Sequence, residues 1–460
     1  MSYAVRCAVV TLVCVSGGAQ PAAQSVVPRP IGAGLVVNRP ANDADPAALP
    51  TAPGENPTGR INLRDALALA LRQSPELANY GWEIRARESA ALQAGQPPNP
   101  VLEVLFEDLW ASGREVQTNR AAQPQATIQL SQLLELGGKR SARQTLAGLD
   151  RDLAEWDFEA ARIDVLSRVT SAFLDVAVSQ RAVSLAEQTR ALLEQVDQTV
   201  QSRVEAGVVS PIEQTKAGVA LATARIDEQR TRRALAMDRI ALAALWGQES
   251  ALFESAEGNI EPPATLPAFD TLLQHVARNP EVARWATEIA RRDAARALES
   301  ARSVPDVTIS AGYRRLTDID SNAVVIGASV PLPFLDRNRA GIQASAERVA
   351  GAREQERAAR ARVTTALALV YRDLAAAHDE AVGLAGSVLP GARSAFGAVE
   401  EGYRLGRFGY LDVLDAQRTL VTAEVHHLRA LSNVQKAVTQ IERLTGVPFS
   451  DAASAPVKGR

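Results

Sequence analysis

The chain repeats itself at a spacing of roughly two hundred residues, and a duplication of that length dictates a half-molecule built twice. Ser74-Pro75-Glu76-Leu77 is answered by Asn279-Pro280-Glu281-Val282, and Pro100-Val101-Leu102 by Pro305-Asp306-Val307. Further on, Ala206-Gly207 is answered by Leu405-Gly406, and Trp246-Gly247 by Thr445-Gly446. The period far exceeds that of helical solenoids, so each copy holds several elements and the whole is pseudo-symmetric.

Most of each copy reads as long helix. Residues 62–96 are helical, with Leu63, Leu67 and Leu71 at steps of four, and Pro97-Pro98-Asn99-Pro100 ends the run. Residues 139–204 contain no proline, which at about 1.5 Å per residue gives a rod of roughly 100 Å. Leu149, Leu153, Trp156, Ala160 and Ile163 carry its stripe; in the second copy Val363, Leu367, Val370, Leu374, Ala377, Ala381, Leu384 and Val388 keep the four-three spacing of a coiled coil. Pro390 is expected to kink this second rod without ending it, because helical composition resumes at 392–404. Each rod turns back at a tip, residues 205–211 and 404–410, where Gly207 and Gly406 sit at helix C-caps and Pro211 suits a first turn.

Between helices the period changes to two. Leu102, Val104, Phe106 and Trp110 point one way, and Glu103 and Glu107 the other. Ala126, Ile128 and Leu130 oppose Gln125, Thr127, Gln129 and Ser131, and Val307, Ile309, Ala311 and Tyr313 oppose Asp306, Thr308, Ser310 and Gly312. A fourth segment can place Val324, Ile326, Ala328 and Val330 on one face. The expected strands cover about 100–110, 124–134, 305–315 and 322–331, and such segments, apolar on one face only, match either membrane-barrel staves or a half-buried soluble sheet. Four staves cannot close a barrel, and open edges are forbidden in hydrocarbon. Three copies would supply twelve.

The chain of 460 residues has a formal charge of -3 and 4% aromatics, a helix-bundle composition without a basic run for nucleic acid. Residues 1–24 read as an export signal, with Arg6, an apolar stretch and small residues in order, and they contain both cysteines, Cys7 and Cys14. The mature chain is thereby expected to have neither disulfides nor thiolate chemistry. Residues 25–60 form an extended or disordered arm, 61–247 the first repeat, 248–267 a polar linker, 268–449 the second repeat and 450–460 a tail. The mature chain has no apolar run long enough for a transmembrane helix.

Leu389-Pro390-Gly391-Ala392-Arg393 and Glu401-Gly402-Tyr403-Arg404-Leu405-Gly406-Arg407-Phe408-Gly409-Tyr410-Leu411-Asp412-Val413-Leu414-Asp415-Ala416-Gln417-Arg418 resemble the outer-membrane factor family typified by TolC. The likeness runs through residues 62–449. Ser131-Gln132-Leu133-Leu134-Glu135-Leu136-Gly137-Gly138-Lys139-Arg140 resembles the signature of its branch serving cobalt-zinc-cadmium-type exporters. The resemblance implies a mainly α fold with a small membrane β-barrel: long antiparallel coiled-coil hairpins in two tandem repeats, four strands per chain, and a homotrimer joining a twelve-stranded barrel to an α-barrel. It implies a passive exit duct, in the outer membrane of a Gram-negative bacterium and reaching into the periplasm, for divalent metal cations. The implied partners are a periplasmic adaptor (a membrane fusion protein), an inner-membrane pump of the resistance-nodulation-division class and outer-membrane lipid.

Candidate functional residues follow. Asp412 and Asp415 lie three apart on one helix face, and around a threefold axis each would become a ring of carboxylates favouring cations. They match the family's constriction aspartates, and Tyr403 a tyrosine of its latch; the latch arginine falls on Phe408, with Arg407 one place earlier. In copy one the corresponding places hold Glu213 and Lys216. Gly207, Val208, Leu405, Gly406 and Arg407 match tips where the adaptor docks. Glu103 and Glu107 are expected to face the lumen, Gly137 and Gly138 to release the backbone between strand and rod, and Lys139 and Arg140 to meet polar groups there.

His275, His378, His426 and His427 have no metal-site spacing apart from Glu424 three before His427, and no metal or cofactor is expected. With no phosphate loop, nucleophile elbow or zinc-spaced cluster, the chain is not expected to be an enzyme. The alternatives are a TolC-like channel for drugs or type I secretion substrates and, from another class, a soluble periplasmic coiled-coil adaptor or scaffold.

Overall fold

The computed structural model describes residues 56–107, 125–316 and 321–449; the export signal, Cys7, Cys14, Trp110, most of the arm and the 450–460 tail lie outside them. The first copy runs β1 (Gly59–Asn62), α1 (Leu63–Gln73), α2 (Pro75–Ala94), β2 (Val101–Glu107), β3 (Gln125–Leu134), α3 (Lys139–Glu205) and α4 (Pro211–Ala244). After β4 (Phe253–Glu257) the second copy runs α5 (Phe269–Leu273), α6 (Pro280–Arg302), β5 (Val307–Leu316) and β6 (Ser321–Ser329). It ends with α7 (Arg339–Gly383), a π turn (Leu384–Val388), α8 (Leu389–Arg404) and α9 (Tyr410–Thr445).

The repeated motifs meet in space. Asn279 caps α6 by accepting from the Glu281 N–H at 2.7 Å, while its amide donates to the carbonyls of Arg443 at 3.3 Å and Leu444 at 3.0 Å, the last turn of α9. In the first copy Gly247, at φ 83°, ends α4 so close to Pro75 that an added Cβ would lie 3.1 Å from its ring. Each return helix thus closes on the proline-led helix of its own copy. Pro75 also divides the expected 62–96 helix: Ser74 is extended, ending α1 and opening α2, because the residue before proline is pushed out of the α region. The buried face of α1 is Ala66, Leu69, Ala70 and Leu71; Leu63 and Leu67 are only partly buried.

The 248–267 segment contains β4, which pairs in parallel with β1. Ile61 and Phe253 are buried there beside Trp246, whose ring centroid is 6.3 Å from that of Phe253. The central rod is α3, 67 residues long, which packs against α2, α4, α6 and α9. In its lower half Glu228 of α4, nearly buried, lies 2.7 Å from both Arg190 of α3 and Arg232.

In the second copy the coiled-coil stripe holds through Val363, Leu367, Leu374, Ala377 and Ala381, all buried. It then slips. Val388, expected in the stripe, is 46% exposed, and Leu389 takes its place at 5%. The π turn inserts one residue before Pro390, whose missing N–H and bulky ring cannot continue an α ladder.

Strand passes to rod through a polar lock. Gly137 and Gly138 are both left-handed (φ 71° and 72°), and a Cβ on Gly137 would lie 2.7 Å from Val304 Cβ. The Lys139 ammonium lies 2.7 Å from Asp306, which also accepts from the Leu136 N–H at 3.0 Å. Glu135 is paired with Arg143, one contact being 2.9 Å. Burial pushes the Asp306 carboxyl up, but the Lys139 hydrogen bond, the Leu136 N–H and the charges of Lys139 and Arg143 hold it below its ordinary value. The Arg143 hydrogen bond likewise lowers Glu135, against its burial.

Two outcomes are expected. Asn279→Ala removes a cap and orphans α9 carbonyls, lowering stability by about 2 kcal/mol, whereas Ser74→Ala, at a cap that makes no side-chain bond, is close to neutral; guanidinium unfolding of the purified protein compares them. Asp306→Asn strands a largely buried ammonium and costs about 2 kcal/mol at pH 7, less than a fully buried pair because Asp306 is partly exposed. Since the folded pKa is depressed, this contribution is complete above the unfolded value, about 4, and disappears as pH falls through the folded one. The stability gap between parent and variant, measured from pH 7 to pH 3, should therefore close on acidification.

Candidate functional site

The four long strands form one antiparallel sheet in the order β2-β3-β5-β6. Its register puts like with like. Leu102 pairs with Leu130 and Val104 with Ile128; Ile128 then meets Tyr313, which meets Val324, and Leu130 meets Ala311, which meets Ile326. This face is bare: Leu102 is 66% exposed, Val324 76% and Ile326 82%. An apolar band of this extent marks contact with lipid or protein.

The opposite face is polar. Glu103 is paired with Gln129 and, beyond it, Gly312, where the strands approach so closely that a Cβ would meet the Ile128 carbonyl at 2.7 Å. Glu107 shares this face but is not a free carboxylate. Arg314 lies 3.7 Å from it while donating to the Thr127 hydroxyl at 3.0 Å, so only Glu103 is left without an ion pair among the described residues.

At the far end of the rods both turns are built alike. The Gly207 N–H bonds the Val204 carbonyl and that of Val208 the Arg203 carbonyl; in the second tip Gly406 bonds Tyr403 and Arg407 bonds Gly402. These are paired Schellman closures, and the left-handed glycines (φ 70° and 73°) make them possible. Val208 and Ile212 of one tip and Leu405, Phe408 and Leu411 of the other stand exposed.

Tyr403 is buried where the two hairpins join. Arg203, from the last turn of α3, donates to the Tyr403 carbonyl at 3.0 Å and lays its guanidinium 4.3 Å from the ring centroid. Arg407 is exposed and makes no ion pair among the described residues. Phe408 lies flat on Gly402, where any Cβ would collide with its ring. Tyr410 joins Tyr403, Leu193, Val200, Leu221 and Val413 in one apolar cluster. Burial, then Asp197 and Tyr403, pushes the Tyr410 phenol up to about 12; burial raises Tyr403 too, against the pull of Arg203. Both phenols stay protonated.

Asp412 and Asp415 are exposed on the first turns of α9, as their spacing requires. Asp412 has a second role, accepting from the Gly409 N–H at 2.8 Å and so capping its own helix. Asp415 borders a groove of about 1120 Å³ between α4 and α9, floored by α3. That groove is mixed in sign, with Lys216, Arg230, Arg418 and Arg429 beside Asp227 and Asp415. Glu213 and Lys216 occupy the first turns of α4. At the strand-to-rod turn, Gly137, Gly138 and Lys139 belong to the lock described above, while Arg140 is exposed beside residues 97–100. His427 has no metal partner in Glu424, which pairs with Arg393 at 3.3 Å, and the described residues contain no group of three metal-ligating side chains.

Sequence reasoning missed Arg203, Tyr410 and the seat of Phe408 on Gly402. Arg203 sits five residues before the tip proper, and only folding brings it over Tyr403 from two hundred positions away.

A family model described as outer membrane efflux protein matches residues 66–248 and 272–447. The cobalt-zinc-cadmium resistance protein CzcC of Cupriavidus metallidurans is 35% identical over 405 residues, 88% of this chain and 94% of that protein. The nickel-cobalt-cadmium resistance protein NccC of Alcaligenes xylosoxydans xylosoxydans is 27% identical over 332 residues, 68% and 73% of the two. Among solved structures, CusC superposes with a TM-score of 0.70 at 17% identity, covering 84% of this chain and 92% of that one. VceC of Vibrio cholerae does so at 0.67 and 20%, covering 84% and 96%. With matches spanning both repeats, the chain belongs to the outer membrane efflux protein family.

Proposed function

We propose that the protein is the outer-membrane duct of a tripartite efflux system and that it passes divalent heavy-metal cations. The observation that carries the choice of cargo is 35% identity to CzcC across nearly the whole of both chains. The physical frame is the four-stranded sheet, apolar on one face and polar on the other, whose edges β2 and β6 are unpaired. In hydrocarbon such edges must be satisfied, and three copies close the sheet into a ring of twelve strands around a lumen lined by Glu103 and Gln129. The helical hairpins continue that lumen into the periplasm. A soluble scaffold has no use for the bare face of the sheet.

At the tips, residues 205–211 and 404–410 meet a periplasmic adaptor, which couples the duct to an inner-membrane pump that supplies the energy. Gly207, Val208, Leu405, Gly406 and Arg407 present backbone and apolar side chains outward there. Asp412 and Asp415 form the cation-attracting constriction, and the stack of Arg203 on Tyr403 holds the two hairpins of one subunit together in the state described. In this chain Arg203 does what Arg407 was expected to do.

Two experiments bear on this. Deleting the gene should sensitise the host to zinc, cadmium, cobalt or nickel while leaving antibiotic tolerance unchanged; the reverse pattern would reassign the cargo. In planar bilayers, Asp415→Asn together with Asp412→Asn, which keeps a capping side chain, should reduce preference for cations over anions, and unchanged selectivity would remove both carboxylates from the constriction.

A further inference from the structure

The chain contains two strand-to-rod joints, and only one of them is complete. In the first, Leu134 pairs with Val307, Gly137 packs on Val304, and Lys139 and the Leu136 N–H converge on Asp306. The turn leaving β3 is thus seated on the segment that leads into β5. The second joint, residues 330–338, has the same backbone device: Asn338 stands left-handed (φ 54°) at the head of α7 as Gly138 (φ 72°) stands at the head of α3. Its apolar side chains have no seat. Leu332 is 66% exposed, Phe334 77% and Leu335 103%.

The segment that would complete it is present at the other edge of the sheet. Residues 97–100 lead into β2 as 302–305 lead into β5, and they wall an open cavity of about 1270 Å³ that also touches Leu136 and Arg140. One copy therefore carries an unseated turn on its β6 edge and an empty seat on its β2 edge.

We propose that residues 330–338 dock on the β2 lead-in of a second copy of this chain, repeating between subunits the packing that the first joint makes within one. This rests on the closed-sheet reading above and adds its register. Pro100 corresponds to Pro305 and Gly138 to Asn338, so the Leu134–Val307 pair becomes Phe334 beside the partner's Leu102. The Gly137–Val304 contact becomes Arg337 against the partner's Asn99. Parity supports the register: Phe334 continues the Val324, Ile326 face of β6, the face that carries Leu102 on β2, whereas a one-residue slip would oppose the faces.

The two joints differ in chemistry. Glu135, the partner of Arg143, corresponds to Leu335, and Asp306, the acceptor for Lys139, corresponds to Val101. The intramolecular joint is ionic and the intermolecular one apolar, which suits surfaces that meet only after each chain has folded. Pro331 and Pro333 fall on the same side of the extended chain and remove two N–H donors there, blunting the edge against pairing with unrelated strands and leaving recognition to Phe334 and Leu335.

Paired cysteines test the register in the full chain with Cys7 and Cys14 replaced by Ser. Asn99→Cys with Arg337→Cys, and separately Leu102→Cys with Phe334→Cys, should on mild oxidation convert the monomer band into covalent dimers and trimers on a non-reducing denaturing gel. Reductant should restore the monomer, and each single cysteine should remain uncrosslinked. Light scattering in detergent reports assembly independently. A trimer in which neither pair crosslinks overturns the docking register while leaving the duct intact; a monomer overturns both.

Discussion

Hydrocarbon accepts no hydrogen bonds, and that fact governs the upper third of this molecule. A four-stranded antiparallel sheet with an apolar outer face and two unpaired edges is untenable alone in lipid, since every edge N–H and C=O would be desolvated without a partner. The same sheet is also unsuited to water, where side chains such as Val324 and Ile326 stand bare. Closure with further copies resolves both problems together. The lower two thirds answer a different demand, because rods as long as α3 have little core of their own and are stable only when laid against several neighbours along their length.

The two demands meet at the strand-to-rod lock. Here the period of the chain changes from two to 3.6, and the backbone needs two consecutive left-handed residues to make the turn. Burying Lys139 against Asp306 fixes the direction of the rod relative to the sheet, since an ion pair with a backbone donor on the same carboxylate tolerates little displacement. At the opposite end the tips are held by a neutral and apolar cluster with two protonated phenols, and the only charge laid across it is Arg203. The rods are thus fastened ionically near the sheet and by packing near the tips.

Much of this was legible in the sequence because its signals are long. The duplication, the proline-free rods, the alternating strands and the glycines of both tips repeat over many residues or occur twice, and local physics alone decides each. β1 and β4 escaped because four or five residues carry too little alternation to be distinguished from a connector. The helix break at Ser74 was signalled by Pro75, yet a Ser-Pro step can equally bend a helix without ending it. At the tips the sequence gave the turn chemistry of Gly207 and Gly406 but not the stack of Arg203 on Tyr403, which joins residues remote in the chain. The capping role of Asp412 is local and follows from Gly409 standing three residues earlier, but a constriction reading drew attention away from it. Glu107 looked like a free lumen charge because nothing in β2 reveals that Arg314, two strands away, lies across from it.

The π turn gives the second rod a property that the first lacks. One inserted residue advances the helix by about 100°, so the stripe ending at Ala381 and the stripe beginning at Leu389 look in different directions along α9: the upper half buries itself among Leu431 and Val434, the lower half against Ala423. A torque applied at the second tip reaches this widened turn before it reaches the sheet. Restoring ordinary α geometry there would screw the lower half about its own axis and leave the upper half, and the strands above it, where they were.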